Sequence, residues 1–321
     1  MTPQATAGAP GIAGAPAFRH ELYPYEGDAS FLQGALSFIE DALAADETVL
    51  VAVGEDKQDM LREALDATGT DRQVSFVDTG ALGRNPGRLI PAWQDWIAKT
   101  AGGGLPVRGI SESPWGTATP AERGELRYHE WLLNLTFANS PAWWLLCPYD
   151  VTTVEPAALE SARRCHPYRL TDALHGDNPD FADQPFSFEE LSAACDPQQT
   201  LVYGAGALAA VRAAVTACAT QHGLQGARLK ELLVAATEVA ANSVRHGGGS
   251  GRLRIWVDGD VLICEFHDSG HIRDPLAGRS RPTPDQFGGR GLWLVHQLCD
   301  LVQIRSTAES GTTVRLSTAL R

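Results

Sequence analysis

The chain has 321 residues, 44% of them hydrophobic, which is enough for two globular domains with their own cores. With 26 Lys and Arg against 39 Asp and Glu the formal net charge is -13, a balance that repels a phosphate backbone, so direct nucleic-acid binding is not expected. Six cysteines scattered singly, without a C-x-x-C pair, read as reduced thiols of a cytoplasmic protein; the richest apolar runs, 142 to 147 and 207 to 219, are too short or interrupted for a bilayer, so no membrane contact is expected.

The Ala/Gly/Pro-rich residues 1 to 17 read as a disordered tail. From residue 18 onwards short apolar runs alternate with amphipathic stretches. FLQGALSFIEDALAA (31 to 45) and KQDMLREALDAT (57 to 68) read as helices, TVLVAV (48 to 53) and QVSFVD (73 to 78) as strands. RLIPAWQDWIAKTA (88 to 101) and GELRYHEWLLNLTFA (124 to 138) are further helices, and AWWLLCPYD (142 to 150) is another strand. The alternation argues for a parallel sheet covered by helices. The Gly/Pro/Ser/Thr-rich stretch 102 to 120 reads as one long loop. An Asp/Pro-rich stretch, interrupted by a short helical FEELSAA (188 to 194), places a linker at 176 to 198 between domains at 18 to 175 and 199 to 321.

The second domain reads as two helices (206 to 223 and 227 to 246), a strand pair (252 to 258 and 261 to 268), a Gly/Pro/Arg-rich loop, a helix from residue 291, and two final strands. Within it Glu238, Asn242 and His246 recur every fourth residue and share a helix side. An amide oxygen is a hard neutral metal ligand and a carboxylate can take a proton, so the pair suits a magnesium-phosphate site as well as a solvated polar stripe. Asp268 ends an apolar strand in HDSG, where it serves either an adenine amine or a turn. FGGRGLWLVHQL aims glycine N–H groups and a helix N-terminus at any phosphate. His246, at a helix end, reads chiefly as a partner of the last carbonyls.

In this order and spacing, E-x-x-x-N on a helix, D-x-G after a hairpin, a loop of about twenty residues, a Gly-rich helix start and a final G-T strand resemble the GHKL (Bergerat) ATP-binding fold, over residues 199 to 321. That fold serves gyrase-type ATPases, histidine kinases and bacterial anti-sigma serine kinases. The resemblance implies ATP and Mg2+ as cofactors, with Glu238 activating the attacking hydroxyl or water and Asn242 holding the magnesium. It further implies Asp268 on the adenine amine, Gly270 in the turn beneath, Thr312 supporting the adenine, and Gly288, Gly289, Arg290 and Gly291 along the phosphates. Arg273, Arg279, Arg281 and Arg290 make the intervening loop locally basic, as a lid over triphosphate or as a solvated loop. One departure is Ile272, where the usual D-x-G-x-G has its second glycine.

GRGLWLVHQLCDLV with GTTVRL resembles the RsbA-family anti-sigma regulators, and the first domain, on HELYPYEGDASFLQGALSFIEDALAADETVLVAV and WLLCPYD, resembles the MEDS sensory domain with a RecA-like core. After TVLVAV the chain reads GEDKQDML, where Gly54 and Lys57 do not rebuild a phosphate-binding loop. The six tryptophans between residues 93 and 144 serve a core or a small-molecule pocket. The fold class expected is α/β throughout: a parallel-sheet sensory domain followed by a GHKL α/β sandwich. The resemblance implies an anti-sigma kinase whose partners are a sigma factor and an anti-anti-sigma STAS protein. A vestigial, non-catalytic pocket is the rival that Ile272 motivates. A histidine kinase phosphorylated on His20 is rejected, because Pro24 and Gly27 leave no room for a long helix. The sensed ligand and the oligomeric state, homodimer included, stay open.

Overall fold

The computed structural model describes residues 18–67, 69, 74–82, 84–101, 106–171, 174–192, 196–282 and 289–320. The expected tail at 1 to 17, and Gly288, lie outside the described residues. The chain divides into two compact units, 1–83 with 92–186 and 84–91 with 187–321.

Along the first part of the chain run β1 (Phe18–Tyr25), α1 (Gly27–Ala44), β2 (Thr48–Val53), α2 (Glu55–Asp66), β3 (Val74–Asp78), α3 (Thr79–Leu82), α4 (Leu89–Ala101), β4 (Val107–Ser111), α5 (Pro120–Phe137), β5 (Trp143–Asp150), α6 (Pro156–Cys165), β6 (Tyr168–Thr171) and β7 (Leu174–Asp177). The strands form one sheet in the order β3-β2-β4-β5-β1-β6-β7, parallel throughout except for the β6–β7 pair. Helices cover a parallel sheet on both faces, which is why β2 and β5 are apolar runs buried almost end to end.

Four strands of this unit, β1, β4, β6 and β7, are absent from the reading of the sequence. HELYPY belongs to β1, an interior strand paired with β5 and β6. The stretch 102 to 120 contains β4, all five of whose residues are buried between β2 and β5. Arg108 and Gly109 disguise it. Arg108 is buried with its guanidinium paired to Glu47 and lying 4.5 Å over the Trp144 ring, and a Cβ on Gly109 would come 2.7 Å from the Trp93 ring.

The second unit holds β8 (Gln199–Gly204), α7 (Leu208–Gln221), α8 (Gly226–His246), β9 (Ser250–Asp258), β10 (Val261–Asp268), α9 (Arg290–Leu298), β11 (Leu301–Thr307) and β12 (Gly311–Ala319). Its sheet is antiparallel in the order β11-β12-β10-β9-β8. One face carries the helices. Leu232, Ala235, Ala236, Val239 and Ala240 of α8, at the spacing of a helix stripe, join the core that includes Leu253, Ile255, Leu262 and Phe266. The two units thus have different α/β architectures, a parallel sheet first and an antiparallel sheet with helices second.

The opposite face of this sheet is built on charge. Glu265 of β10 is buried between Arg254 of β9 and Arg315 of β12, which both donate to its carboxylate. Along that face lie residues 187 to 192: Arg315 donates to the Ser192 carbonyl at 2.8 Å and Arg305 to the Glu189 carbonyl at 3.3 Å. These described residues of the expected FEELSAA helix carry no helix. Arginines from the sheet satisfy carbonyls that amides four residues on would otherwise take.

Burial alone would raise the Glu265 carboxyl, but the hydrogen bonds and charges of Arg315 and Arg254 outweigh it and hold the group below its ordinary 4.5. A depressed folded value contributes stability above the unfolded pKa that is lost as pH falls through the folded one. Glu265→Gln is therefore expected to destabilise the protein near neutrality by on the order of 3 kcal/mol. Its effect should shrink in melts taken at progressively more acid pH, below 4.5.

The second unit also includes Arg84–Pro91 from far upstream. Asn85 Nδ2 and the Arg88 guanidinium donate to the carbonyls of His296, Gln297 and Cys299. They close the C-terminus of α9 with hydrogen bonds and a cation where the helix dipole is negative. No helix among the described residues is long and apolar enough to cross a membrane.

Candidate functional site

The C-terminal end of α8, the end of β10, the start of α9 and the start of β12 converge on a cavity of about 370 Å³ in the second unit. Asn242, His246, Gly247, Asp268, Gly270, Gly289, Gly291 and Thr312 line it, and Val239, Ile272, Leu292 and Val314 supply apolar walls. The helix face that raised two readings thus looks partly into a cavity, while Val239 bridges cavity and core.

Asp268 sits in a cage of glycines. Its Oδ1 accepts the Gly270 N–H at 2.8 Å, which turns the chain sharply after β10. A Cβ on Gly270 would come 2.7 Å from the His246 carbonyl oxygen and 2.9 Å from Asp268 Oδ1, so the glycine is required by close approach. A Cβ on Gly247 would overlap the Asp268 carboxylate, and one on Gly311, at φ 79°, would overlap the Asp268 carbonyl oxygen. Gly247 and Gly311 are site-building residues that the reading of the sequence missed; their signal was only that they flank His246 and Thr312.

Thr312 Oγ1 donates to the Gly270 carbonyl at 2.9 Å and lies 2.7 Å from Ser306 Oγ, which in turn accepts the Ile272 N–H at 2.8 Å. This chain of bonds ties β11 and β12 to the loop after Asp268. Positive φ among described non-glycine residues is confined to Asp46 and Asp196, so Ile272 occupies its position without left-handed strain. Its side chain forms a wall of the cavity. Ile272→Gly is accordingly expected to weaken adenine nucleotide binding about fivefold, by removing roughly 1 kcal/mol of apolar contact, as read by calorimetry.

Glu238 lies one turn before Asn242, beside the α9 N-terminus: a Cβ on Gly291 would come 2.8 Å from Glu238 Oε2 and 3.6 Å from Asn242 Nδ2. Gly289 caps α9 with φ 77° and, with Gly291, brings the helix N-terminus and its unbonded N–H groups to the cavity lining. Arg290, the first residue of α9, is exposed and does not line the cavity, although its neighbours Gly289 and Gly291 do. Arg273 and Arg281 are exposed, but Arg279 is only 2% exposed and its charge acts on the buried His296, so it is not among the cations of a lid surface. His246, read from the sequence as a helix-end residue, is that and also a lining residue at the cavity mouth.

The donor set suits an adenine nucleotide with a hard divalent ion. Asp268 and Thr312 offer a carboxylate and a hydroxyl beside apolar walls, Asn242 an amide oxygen, and the start of α9 free backbone N–H groups. In the first unit, Gly54, Lys57 and Trp115 line a second cavity of about 350 Å³ at the carboxyl ends of β2, β4 and β5. Its one lysine is engaged: Lys57 Nζ lies 2.6 Å from both oxygens of Glu112, and Tyr25 OH donates to the same carboxylate at 2.5 Å. Trp93, Trp143 and Trp144 are core.

Helices on one face of an antiparallel sheet, with this cavity between them, define the second unit as a histidine kinase-like ATPase fold. Residues 204–318 match the family model of the histidine kinase-like ATPase domain, and residues 19–167 match that of MEDS, the MEthanogen/methylotroph, DcmR Sensory domain. The chain carries an N-terminal MEDS domain followed by a C-terminal ATPase domain of the GHKL-like class. Among solved structures it is similar to the RsbU and RsbW domains of Rv1364c from Mycobacterium tuberculosis, at 20% identity and a TM-score of 0.29. That similarity covers 38% of this chain and 33% of the other. No curated protein matches the chain.

Proposed function

We propose that the protein is a partner-switching anti-sigma regulator of the RsbA type, in which the ATPase domain binds ATP with Mg2+, sequesters a sigma factor and phosphorylates a serine of an anti-anti-sigma STAS protein. The N-terminal domain would control that switch in response to a signal. The observation that carries this reading is the convergence of Glu238, Asn242, Asp268, Gly270, Gly289, Gly291 and Thr312, from four separate stretches of the second unit, around one cavity and its rim.

In this reading Asp268 and Thr312 orient the adenine, the apolar walls exclude water from its faces, and the α9 N-terminus with Gly289 and Gly291 holds the phosphates. Asn242 holds the magnesium. Bound Mg-ATP supplies a transferable phosphoryl group whose charge the metal neutralises. Glu238, placed at the phosphate end beside Gly291, takes the proton of the incoming serine hydroxyl. The acidic chain, at net charge -13, is suited to a partner with a basic docking face.

The test is a transfer assay with terminally labelled ATP, Mg2+ and a STAS protein captured by the chain, together with pull-down of a sigma factor. Label on a STAS serine, and sigma release when unphosphorylated STAS is added, is the expected outcome. ATP binding without transfer to any captured STAS protein would leave a non-catalytic switch in place of a kinase.

A further inference from the structure

In the first unit, four side chains with no shared sequence motif meet at one buried point: His20 of β1, Glu130 of α5, Cys147 of β5 and His166, which follows α6. All four are buried, and their ligand atoms lie within 4.8 Å of one another. His20 Nε2 is 3.3 Å from Glu130 Oε2 and 3.4 Å from Cys147 Sγ, and His166 Nε2 is 3.5 Å from Glu130 Oε2. A tetrahedral ion with ligands at about 2.0–2.3 Å spaces its donor atoms roughly 3.3–3.7 Å apart.

Hydrogen bonding outside the cluster sets which nitrogens face inward. His166 Nδ1 lies 2.7 Å from the Ala162 carbonyl, which can only accept, so Nδ1 carries the proton and Nε2 presents a lone pair. His20 Nδ1 lies 3.1 Å from Asn134 Oδ1, and that amide is oriented by its own Nδ2 donating to the Cys165 carbonyl at 2.6 Å. Both imidazoles therefore turn bare nitrogens toward a carboxylate oxygen, and neither His166 Nε2 nor Glu130 Oε2 has a hydrogen-bond partner. Unpaired acceptors facing one another in a dry interior are costly unless a cation sits among them.

We propose that His20 Nε2, Glu130 Oε2, Cys147 Sγ and His166 Nε2 coordinate one divalent zinc ion, in a closed four-ligand site that ties β1, α5, β5 and the end of α6 together. Two imidazoles, a carboxylate and a thiolate form a borderline donor set that suits zinc over magnesium or calcium. On binding, the Cys147 thiol gives its proton to solvent as the sulfur–zinc bond forms, with no redox change. Four protein ligands leave no position for substrate water, so the ion's role is structural, setting the stability of the sensory unit.

The full chain, purified without added chelator and then stripped and reloaded, tests this. Expected are one zinc per chain by elemental analysis, a rise in thermal midpoint on adding Zn2+ to stripped protein, and an absorption-edge spectrum of the zinc-loaded wild type with one sulfur and three nitrogen or oxygen neighbours. Co2+ loading should give a thiolate-to-cobalt charge-transfer band that Cys147→Ser removes and Cys165→Ser retains. A folded wild-type chain that takes up neither Zn2+ nor Co2+, a shell with no sulfur or with several, or a band unchanged in folded Cys147→Ser would each overturn the proposal. The wild-type measurements stand even where a ligand variant fails to fold.

Discussion

Asn242→Ala is expected to abolish magnesium-dependent ATP binding, while Glu238→Ala keeps binding and loses phosphoryl transfer. The two residues are one helical turn apart on α8, yet they meet different parts of the site. Asn242 lines the cavity itself, where on the proposed reading its amide oxygen would hold the metal without charge cost. Glu238 abuts Gly291 at the α9 start, where a carboxylate has no role in holding the base. Calorimetry with ATP, with and without Mg2+, should show Asn242→Ala weakened more than about tenfold and the magnesium dependence gone. Glu238→Ala should bind within about twofold of wild type and transfer phosphate on the order of a hundredfold or more slowly, the usual scale of a lost general base. Equal transfer by both variants would remove the assignment of roles.

Gly311→Ala is expected to damage the same site from its other side, and to do so more severely than Gly249→Ala in the glycine run after α8. At φ 79° an alanine is strained, and its Cβ would overlap the Asp268 carbonyl oxygen, so strand β12 must move away from the end of β10. Strain and overpacking together cost about 2–4 kcal/mol, and the Asp268–Gly270–Thr312 arrangement shifts with the strand. Gly249→Ala provides the comparison. It also has a positive φ, 88°, but a Cβ there would meet nothing within 4 Å, so only the left-handed penalty of about 1 kcal/mol applies. Thermal melts should separate the two variants by several degrees, and only Gly311→Ala should lose ATP affinity, by tenfold or more. Similar melts and affinities for both would mean that the cage around Asp268 is dispensable.

Much of this site was legible because its parts are local. Glu238 and Asn242 share a helix side by periodicity alone, Asp268 ends an apolar run, and Gly289 and Gly291 precede a helix; each needs only a few neighbouring residues to be seen. What remained hidden depended on partners distant in sequence. Gly247 and Gly311 matter because β12 and the end of α8 both pass against Asp268. The cap of α9 comes from Asn85 and Arg88, about two hundred residues upstream. Arg279, one basic residue among several in a polar loop, is buried, which composition could not show. Strand β4 was hidden by a charge, Arg108, that Glu47 neutralises.

By itself the sequence determined the α/β alternation of the first unit, though not its strands β1, β4, β6 and β7 or β8 of the second, together with the position of the polar stripe on α8 and the order of the segments that form the site, because period, turn chemistry and helix-start glycines act over a few residues. Only the tertiary structure decided that Asp268 is enclosed by three glycines, that residues 187 to 192 lie on a charged sheet face instead of forming a helix, and that His20, Glu130, Cys147 and His166 point at one another. Those outcomes are set where chain segments cross, and the spacing of residues along the chain carries no record of the crossing.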